Sequence, residues 1–452
     1  MHMVEYLHIV PKCVEGDKYI CFDPLSKTIF LLDPDEMRIV EKARANLELN
    51  PTEQKILGDI QNSIDSERKN VTEIVIKEKG PRMMVLMVSQ ICNMNCRYCY
   101  AHGGTYNTPG IMKFEVGKQA LDAAHELGID KIQFYGGEPL MNFGVINRLV
   151  QYADKMDYKF RFGIITNGTL INKEIANFFR DHDFDVTVSI DGPKIVNDTN
   201  RIYPNGLGSY DDIISSIRLL NELDIPLALE VTYAKNYLHK MGISEILDHL
   251  SKYSKTFIVG YALPPVWSES IGEPISTYAL NENEVLEIMK ELVDYLFDKW
   301  ERGVPIKEMG VCRILREILS PVRYVRRTIC SEIPFRITVF YNGEVYPCHQ
   351  TYLDSNFYLG NITDTNFPKS LKERLANTAK VFSLSNLYIA PEDKWMPSLC
   401  DFCRIHLIKR GGLYYLRYPK AYRDLLDHIL YSIVTRDIKT IIKTLGGVLY
   451  EQ

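Results

Sequence analysis

The sequence predicts an α/β protein built on a partial (β/α)6 barrel of the TIM type, with a smaller unit on each side. The first observation is that strand-like runs alternate with amphipathic helical runs between residues 82 and 302. Such alternation is typical of parallel strands with helices packed outside them. The second is a set of short β-branched and aromatic runs before residue 80. The third is that the alternation stops near residue 310, where a hairpin and further cysteines follow.

Length and composition describe an ordinary globular chain. The protein has 452 residues, of which 46% are hydrophobic and 25% charged. At roughly 150 residues per domain this length suggests about three domains, and the composition excludes collagen, low-complexity disorder and a coiled-coil rod. The net charge of −5 argues against a broad nucleic-acid surface. Since neither a signal pattern nor an apolar run of about 18 residues occurs, we expect a cytoplasmic protein with no membrane partner.

The first 80 residues predict a small α+β unit of winged-helix type. Asp33 is a candidate N-cap with Pro34 at the first helical position. The predicted strands cover 4–10, 18–22, 27–32 and 71–77, and the predicted helices cover 36–47 and 51–68. From composition alone this unit is equally consistent with a DNA-binding winged helix, but the acidic chain and weakly basic helices count against nucleic acid as a partner.

The central region predicts the barrel element by element. The expected strands are 83–88, 131–135, 161–165, 185–190, 226–233 and 256–261, and the expected helices include 115–127, 143–153, 173–180 and 210–223. Parallel barrels place their chemistry at the carboxyl ends of the strands. We therefore expect domains at 1–80, 81–309, 310–410 and 411–452, the last one helical from residue 414. In the third domain Asn342-Gly343 lies between two strand-like runs and predicts a hairpin.

The most informative segment holds Cys92, Cys96 and Cys99 in the spacing CxxxCxxC, directly after the first barrel strand. Ten cysteines are too few for a disulfide scaffold in a chain of this length, and their clustering favours metal-bound thiolates. Three interpretations compete: small hydrophobic residues on one helix face, a zinc site completed by His102, and a four-iron cluster with one open iron. The intervening polar residues disfavour the helix, and the spacing is unusual for zinc.

A second segment favours the cluster. Gly136-Gly137-Glu138-Pro139 ends the second barrel strand. Glycines permit close approach of a ligand to the backbone, Glu138 offers an acceptor for a cationic amine, and Pro139 stiffens the turn. Alone, these residues are also consistent with a simple βα turn. Their position one βα unit after the cysteines makes coincidence improbable.

With these two motifs the sequence resembles the radical S-adenosylmethionine (SAM) superfamily. The resemblance implies a [4Fe–4S] cluster on Cys92, Cys96 and Cys99, with the amine and carboxylate of SAM on the fourth iron. It also implies that Glu138 and its neighbouring glycines contact the methionyl amine. The SAM-pocket residues implied in this way are Tyr98, Gly136, Gly137, Glu138, Pro139, Thr166, Asn167, Ser189, Asp191 and Arg201. Asn167 is also consistent with a turn, Asp191 with a strand exit, and Arg201 with a surface ion pair.

A second set of cysteines predicts a closed metal site. Cys330, Cys348, Cys400 and Cys403 supply four thiolates, which suit either zinc or an iron–sulfur cluster. The pattern resembles the auxiliary-cluster module called twitch, a shortened form of SPASM, and this implies one auxiliary [4Fe–4S] cluster. We do not expect a second one, because no cysteine follows Cys403. His406 is a further candidate ligand, although a lone histidine is more often a hydrogen-bonded surface residue. Cys13, Cys21 and Cys312 are expected to be structural, and Cys312 is the one that could replace a ligand of this set.

The barrel resembles more closely the maturases of ribosomally made peptides, especially those that form thioethers (sactipeptide and ranthipeptide types). The stretches that carry this resemblance are 101–117, 134–142, 189–201, 206–210 and 346–350. It implies a peptide-modifying oxidoreductase that takes electrons from an external donor such as flavodoxin or ferredoxin. The N-terminal unit would bind the leader of a precursor peptide by strand addition. His349 is the candidate catalytic base, with Asp354 as another; His349 is equally consistent with a role supporting the cluster.

Three alternatives remain open. One is anaerobic sulfatase maturation, which forms formylglycine; those enzymes carry an acid where His349 stands here. Another is a maturase that forms carbon–carbon crosslinks or epimerises residues. The last is a metal-sensing winged-helix regulator without catalysis, which would leave the Gly-Gly-Glu-Pro segment and six βα units unexplained.

Overall fold

A computed structural model describes residues 7–69, 80–238, 240–263, 277–319, 330, 335–381, 383–396, 407–410, 413–416 and 418–450. The N-terminal unit begins with an antiparallel sheet in the order β1-β2-β3. Its elements are β1 His8–Val14, β2 Lys18–Asp23, β3 Thr28–Leu32, α1 Pro34–Arg44 and α2 Pro51–Lys69. Asp33 caps α1 by accepting from the backbone of Glu36, as predicted. The predicted strand at 71–77 lies outside the described residues.

The central region forms the predicted open barrel. Its strands are β4 Met83–Ser89, β5 Lys131–Gly136, β6 Arg161–Thr166, β7 Asp185–Ser189, β8 Leu227–Tyr233, β9 Thr256–Tyr261 and β10 Lys307–Glu308, each parallel to the next. The helices are α3 Phe114–Glu126, α4 Phe143–Lys155, α5 Lys173–Asp181, α6 Lys194–Asn200, α7 Tyr210–Glu222, α8 Ile243–Leu250, α9 Glu282–Glu301 and α10 Met309–Leu319. All six predicted strands are confirmed.

Apolar side chains on the outer face hold the strands against the helices. Phe134 of β5, Phe162 of β6 and Phe184, the residue before β7, stack on one another and are buried. Because side chains alternate along a strand, the residues between them point into the barrel. Polar residues such as Glu230 are therefore directed toward the interior, at the end of the barrel where the loops carry the cysteines.

The hairpin after the barrel is confirmed, but it belongs to the barrel sheet rather than to a separate unit. It consists of β11 Arg336–Val339 and β12 Glu344–Tyr346, with β13 Gly360–Asn361 beside them. Strand β11 pairs parallel to β4, so the hairpin extends the barrel into one ten-stranded sheet. Gly343 has φ of +87°, which the tight turn requires. Tyr346 of β12 pairs with Thr338, which pairs with Val85 of β4, and Cys348 follows two residues after β12.

The C-terminal region contains α11 Phe367–Val381, a small sheet of β14 Leu387–Tyr388, β15 Leu407–Arg410 and β16 Leu413–Leu416, and the helices α12 Pro419–Thr435 and α13 Ile438–Tyr450. The prediction of helix from residue 414 was wrong at its start. Tyr414 belongs to β16, where aromatic residues suit a strand, and Pro419 sets the first turn of α12. No helix in the described part of the chain is long and apolar enough to span a bilayer.

The N-terminal unit packs on the C-terminal helices and on the barrel. The ring of His8 stacks on Trp395 at 3.6 Å between centroids, and its Nε2 lies 2.5 Å from Asp427 of α12. On the barrel side, Lys27 forms a buried ion pair with Glu317 of α10 at 2.5 Å. The N-terminal unit is thus packed against both the barrel and the C-terminal helices.

Candidate functional site

The loop with Cys92, Cys96 and Cys99 follows β4 without forming a helix, so the interpretation as a helix face is wrong. Two backbone bonds tie it to the segment after α6. The Asn95 N–H donates to Ile202 O at 2.8 Å, and the Arg97 N–H donates to Asn200 O at 3.0 Å. The loop is therefore held at the carboxyl edge of the barrel.

The three thiols form one half-buried group. Burial raises the pKa of Cys92 to about 11 and of Cys96 to about 12, and the nearby charge of Cys99 adds to both shifts. Thiols in such surroundings need a cation to become thiolates. No three His, Cys, Asp or Glu side chains in the described ranges are arranged to hold a single metal ion. Three thiols on one loop match the three thiolates of a four-iron cluster that keeps one iron open, so this donor set fits such a cluster.

Glu138 lies fully buried at the end of β5. Its carboxylate accepts hydrogen bonds from Thr166 Oγ1 at 2.7 Å, the Asn167 N–H at 2.8 Å and the Leu140 N–H at 3.0 Å. Burial raises its pKa to about 7, against the lowering effect of these donors. The carboxylate is thus fixed by the end of β6, in an orientation suited to an ammonium group.

The two glycines before Glu138 have a packing role that the sequence did not reveal. Gly136 has φ of +150°, and a Cβ on it would lie 2.1 Å from Ser89 O. A Cβ on Gly137 would lie 2.5 Å from Ile91 O. The chain needs glycine here so that the end of β5 can pack directly on the start of the cysteine loop.

Asn167 connects the end of β6 to the same loop. Its Nδ2 donates to Asn93 Oδ1 at 2.9 Å and lies 3.7 Å from the sulfur of Cys92. Asn167 is therefore more than a turn residue, because its side chain contacts a predicted cluster ligand.

Asp191 organises the opposite side of the site. Its fully buried carboxylate accepts from Tyr98 Oη at 2.5 Å, Tyr237 Oη at 2.8 Å and Arg201 Nε at 2.9 Å. Arg201 is only 6% exposed, so its interpretation as a surface ion pair is wrong. Burial opposes the charge of Arg201, but Asp191 outweighs this effect and raises its pKa. Asp191 therefore positions Tyr98 and Arg201, and its direct contact with SAM stays a prediction.

Ser189 has a partner that the sequence did not single out. Its Oγ donates to Glu230 Oε2 at 3.1 Å, and the two residues are in register on β7 and β8. The sole sequence signal was a charged residue inside an otherwise apolar strand. Ser189 and Glu230 together present hydroxyl and carboxylate groups to the barrel interior.

The second cysteine set is described in part. Burial would raise the pKa of Cys348, but His349 overcomes this effect and the pKa falls to about 7. Cys330 packs half-buried against the core, whereas Cys400, Cys403 and His406 lie outside the described residues.

The remaining cysteines and Asp354 lie in places that indicate a structural role. Cys312 is buried in α10, and Cys21 lies in the core of the N-terminal unit, whereas Cys13 is exposed. Asp354 caps a short turn by accepting from the Asn356 N–H at 3.1 Å. The assignment of Asp354 as a base stays a prediction.

Comparison with known proteins shows which class of protein the central domain belongs to. The Radical SAM superfamily model matches residues 86–251. Over 191 residues the chain is 36% identical to the uncharacterized protein MJ0907 of Methanocaldococcus jannaschii, covering 39% of this chain and 65% of that protein. It is 24% identical to a cysteine-type anaerobic sulfatase-maturating enzyme of Clostridium novyi, over 72% of this chain and 88% of the relative. It is 23% identical to the radical SAM cyclopropyl synthase TigE of Paramaledivibacter caminithermalis, over 82% of this chain and 80% of that protein.

A solved structure agrees in fold. Native anSMEcpe with bound AdoMet superimposes with a TM-score of 0.67 at 21% identity, covering 81% of this chain and 99% of that one. Residues 86–251 form a radical SAM domain, and the relatives named as maturating enzymes and synthases support an oxidoreductase that carries this domain. Such enzymes use a [4Fe–4S] cluster with SAM, and the three thiols of the first loop fit that cluster.

Proposed function

We propose that this enzyme matures a ribosomally made peptide by joining a Cys sulfur to a nearby carbon as a thioether. The observation that supports the proposal is a contact between the residue before the glycine turn of β5 and the residue after Cys348. Tyr135, beside the glycine turn of β5, lies 5.1 Å from the ring of His349, which follows Cys348. A closed cluster near the first site suits a reaction in which the peptide loses a hydrogen atom and then one further electron.

Thioether formation sets the tasks of the two clusters and of the electron donor. SAM and its cluster, held by the cysteine loop and Glu138, would supply the radical chemistry that removes one hydrogen atom from the peptide. Thioether formation also removes the thiol proton and one electron, so that the peptide loses two hydrogen atoms in total. An auxiliary cluster at Cys330, Cys348, Cys400 and Cys403 would accept that electron, and a donor such as flavodoxin or ferredoxin would reduce the first cluster.

The chain's own residues supply binding and shielding. Glu138 is placed to accept the ammonium of SAM, while Thr166 and Asn167 hold its carboxylate. Asp191 fixes Tyr98 and Arg201 beside the cysteine loop. A radical must be kept from water, and the half-buried tyrosines at the barrel mouth provide such a wall.

The N-terminal unit supports a peptide as the substrate. Strand β3 pairs with β2 alone among the described strands, and its other edge is where we place the peptide. An extended leader peptide can add there as a further strand.

Formylglycine formation is the second candidate. It is favoured by the sulfatase-maturating relatives, which match more than two thirds of this chain, and by a similar structure of anSMEcpe with a bound Cp18Cys peptide. Both candidates begin by oxidising a Cys-containing peptide.

The test is anaerobic incubation of reconstituted enzyme with SAM and dithionite. One peptide comes from a short Cys-rich reading frame beside the gene, and the other is Cp18Cys. We expect 5′-deoxyadenosine and a precursor that loses two hydrogen atoms and one alkylatable thiol while keeping its sulfur. An aldehyde with loss of sulfur in Cp18Cys would instead establish formylglycine formation. Failure to modify either peptide would reject both candidates.

A further inference from the structure

Glu230 is a half-buried carboxylate on the inner face of the barrel. It lies on β8 between Leu229 and Val231, which are fully buried on the outer face. Because side chains alternate along a strand, Glu230 points inward. Its neighbour in register on β7 is Ser189, whose Oγ donates to Glu230 Oε2 at 3.1 Å. This hydrogen bond holds the carboxylate near the end of the barrel that carries the cysteine loop.

The carboxylate of Glu230 has spare capacity to accept hydrogen bonds. Within the described residues, the Ser189 hydroxyl is its donor and no Lys, Arg or His forms an ion pair with it. An ionised carboxylate has about four acceptor positions, so most of those on Glu230 can receive a group of the substrate. Removing a carboxylate from water without a cation is costly, and carboxylates held in this way are typical of functional sites.

The interior beside Glu230 has room for a side chain of the substrate. On β9, Ile258 is in register with Glu230, and the next inward position is Gly260. Among the described atoms, only Val231 O lies within 4 Å of the place that a Cβ on Gly260 would take, at 3.7 Å. The inner face of β9 is therefore not filled by a side chain at this level.

Tyr135 faces Glu230 from β5. It follows Phe134, which is buried on the outer face, so its own ring points inward. Burial raises the pKa of Tyr135, and the negative charge of Glu230 raises it further. Since such effects weaken with distance, the two side chains lie near each other within the barrel. A substrate side chain placed there would lie between Tyr135 and the Ser189–Glu230 pair.

We propose that Glu230 is a catalytic residue that takes the proton from the Cys thiol of the substrate peptide. The inference rests on the proposed function in its broader form, in which a Cys-containing peptide is oxidised. A thiol has an ordinary pKa of about 8.5, so at neutral pH it must lose a proton before its sulfur becomes a nucleophile. Bond formation consumes the thiolate as it forms, which draws the transfer to Glu230 forward. The other carboxylate considered for this role, Asp354, caps a turn.

The proton transfer is balanced by itself. The S–H bond breaks, Glu230 becomes a neutral carboxylic acid, and the sulfur keeps the electron pair as a thiolate. No electron is gained or lost in this step. The acid returns its proton to water after the product leaves.

The experiment compares Glu230→Gln with the native full-length chain on two forms of one peptide. The peptide is whichever of the Cys-rich precursor and Cp18Cys the native enzyme modifies, made with Cys or with selenocysteine at the reacting position. Gln keeps the size of the side chain and an acceptor for Ser189, but it does not take up the proton. General bases contribute about 10²–10⁴-fold, and we expect kcat with the Cys peptide to fall by such a factor. A selenol is already ionised at neutral pH, so most of this loss should disappear with the selenocysteine peptide.

Circular dichroism and iron content establish that the variant folds and loads its clusters. Glu287→Gln is the matched control, because Glu287 is exposed on α9, and it should equal the native chain with both peptides. An equal loss with both peptide forms would overturn the proposal, since a structural role does not distinguish thiol from selenol. A raised KM with unchanged kcat, or weaker SAM binding by calorimetry, would also overturn it by showing a contact with a peptide cation or with the cofactor.

The two levels of the argument fail in different ways. If the native enzyme modifies neither Cys peptide, the proposed function fails and the role of Glu230 with it. If the native enzyme modifies one of them and Glu230→Gln does so at the same rate, only the role of Glu230 fails.

Discussion

Tyr98 donates a hydrogen bond to Asp191 at 2.5 Å, and this contact joins the cysteine loop to the end of the fourth barrel strand. The same carboxylate holds Arg201, whose guanidinium lies 5.7 Å from the centroid of the Tyr98 ring. Three residues that are distant in sequence thus become one rigid group. The site therefore depends on a buried charge pair as much as on its cysteines.

Replacing Asp191 by Asn should disrupt this group. The substitution leaves the charge of Arg201 buried without its partner, which costs about 3–5 kcal/mol in comparable pairs. We expect a lower free energy of unfolding in urea and weaker SAM binding by calorimetry. Asp211→Asn is the control, because Asp211 pairs with Lys194 while its side chain is 75% exposed. This substitution should change the free energy of unfolding by no more than about 1 kcal/mol. Equal effects of the two substitutions would contradict this role for Asp191.

The number of irons bound per chain should show which cysteines are cluster ligands. Two four-iron clusters give about eight irons per chain, and the Cys92/Cys96/Cys99-to-Ala variant should retain about four and form no 5′-deoxyadenosine. Cys312→Ala should leave the iron unchanged, because Cys312 is buried in α10, where burial raises the pKa of its thiol to about 12. Loss of about four irons in that variant would identify Cys312 as a ligand. Any 5′-deoxyadenosine from the triple variant would reject the first assignment.

Gly137→Ala should prevent the cysteine loop from closing on β5. The added methyl group would lie 2.5 Å from Ile91 O, and backbone atoms cannot yield as a flexible side chain can. We expect a loss of about 1–3 kcal/mol in stability and reduced iron loading after reconstitution. Gly144→Ala in α4 is the matched control: its Cβ meets nothing within 4 Å, and alanine favours a helix by up to about 1 kcal/mol. Normal iron loading in Gly137→Ala would show that the close packing is not required.

The sequence was sufficient for features that depend on local pattern. The barrel strands were found nearly to the residue because strands covered on both sides are apolar along their length, and the cysteine and glycine motifs marked the site. The pairing of β11 with β4 was not predictable in this way, since no local signal tells which of many edges a hairpin joins. Glu230 and the packing role of Gly137 were missed for the same reason. Each depends on a neighbour distant in the chain.

The N-terminal unit should lose stability in acid through Asp23. This carboxylate is fully buried, and Arg68 contacts it at 2.7 Å through NH2 and at 3.0 Å through Nε. Burial alone would raise the pKa of Asp23, but hydrogen bonds from Arg68 and Ser26 lower it. Because the folded pKa lies below that of the unfolded chain, about 3.9, the stabilisation is present above that pH. It is lost as the pH falls through the folded pKa.

Asp23→Asn should therefore cost about 3–5 kcal/mol at neutral pH, since it removes the buried charge of the Asp23–Arg68 ion pair. The difference from the native chain should shrink as the pH falls below about 3.9, where the native carboxyl is also protonated. Urea unfolding followed by the circular dichroism of the full chain at several pH values measures both effects. Asp35→Asn is the control, because Asp35 pairs with Arg38 while its side chain is 79% exposed. A difference between native and Asp23→Asn chains that stays constant with pH would show that the carboxyl does not titrate with folding.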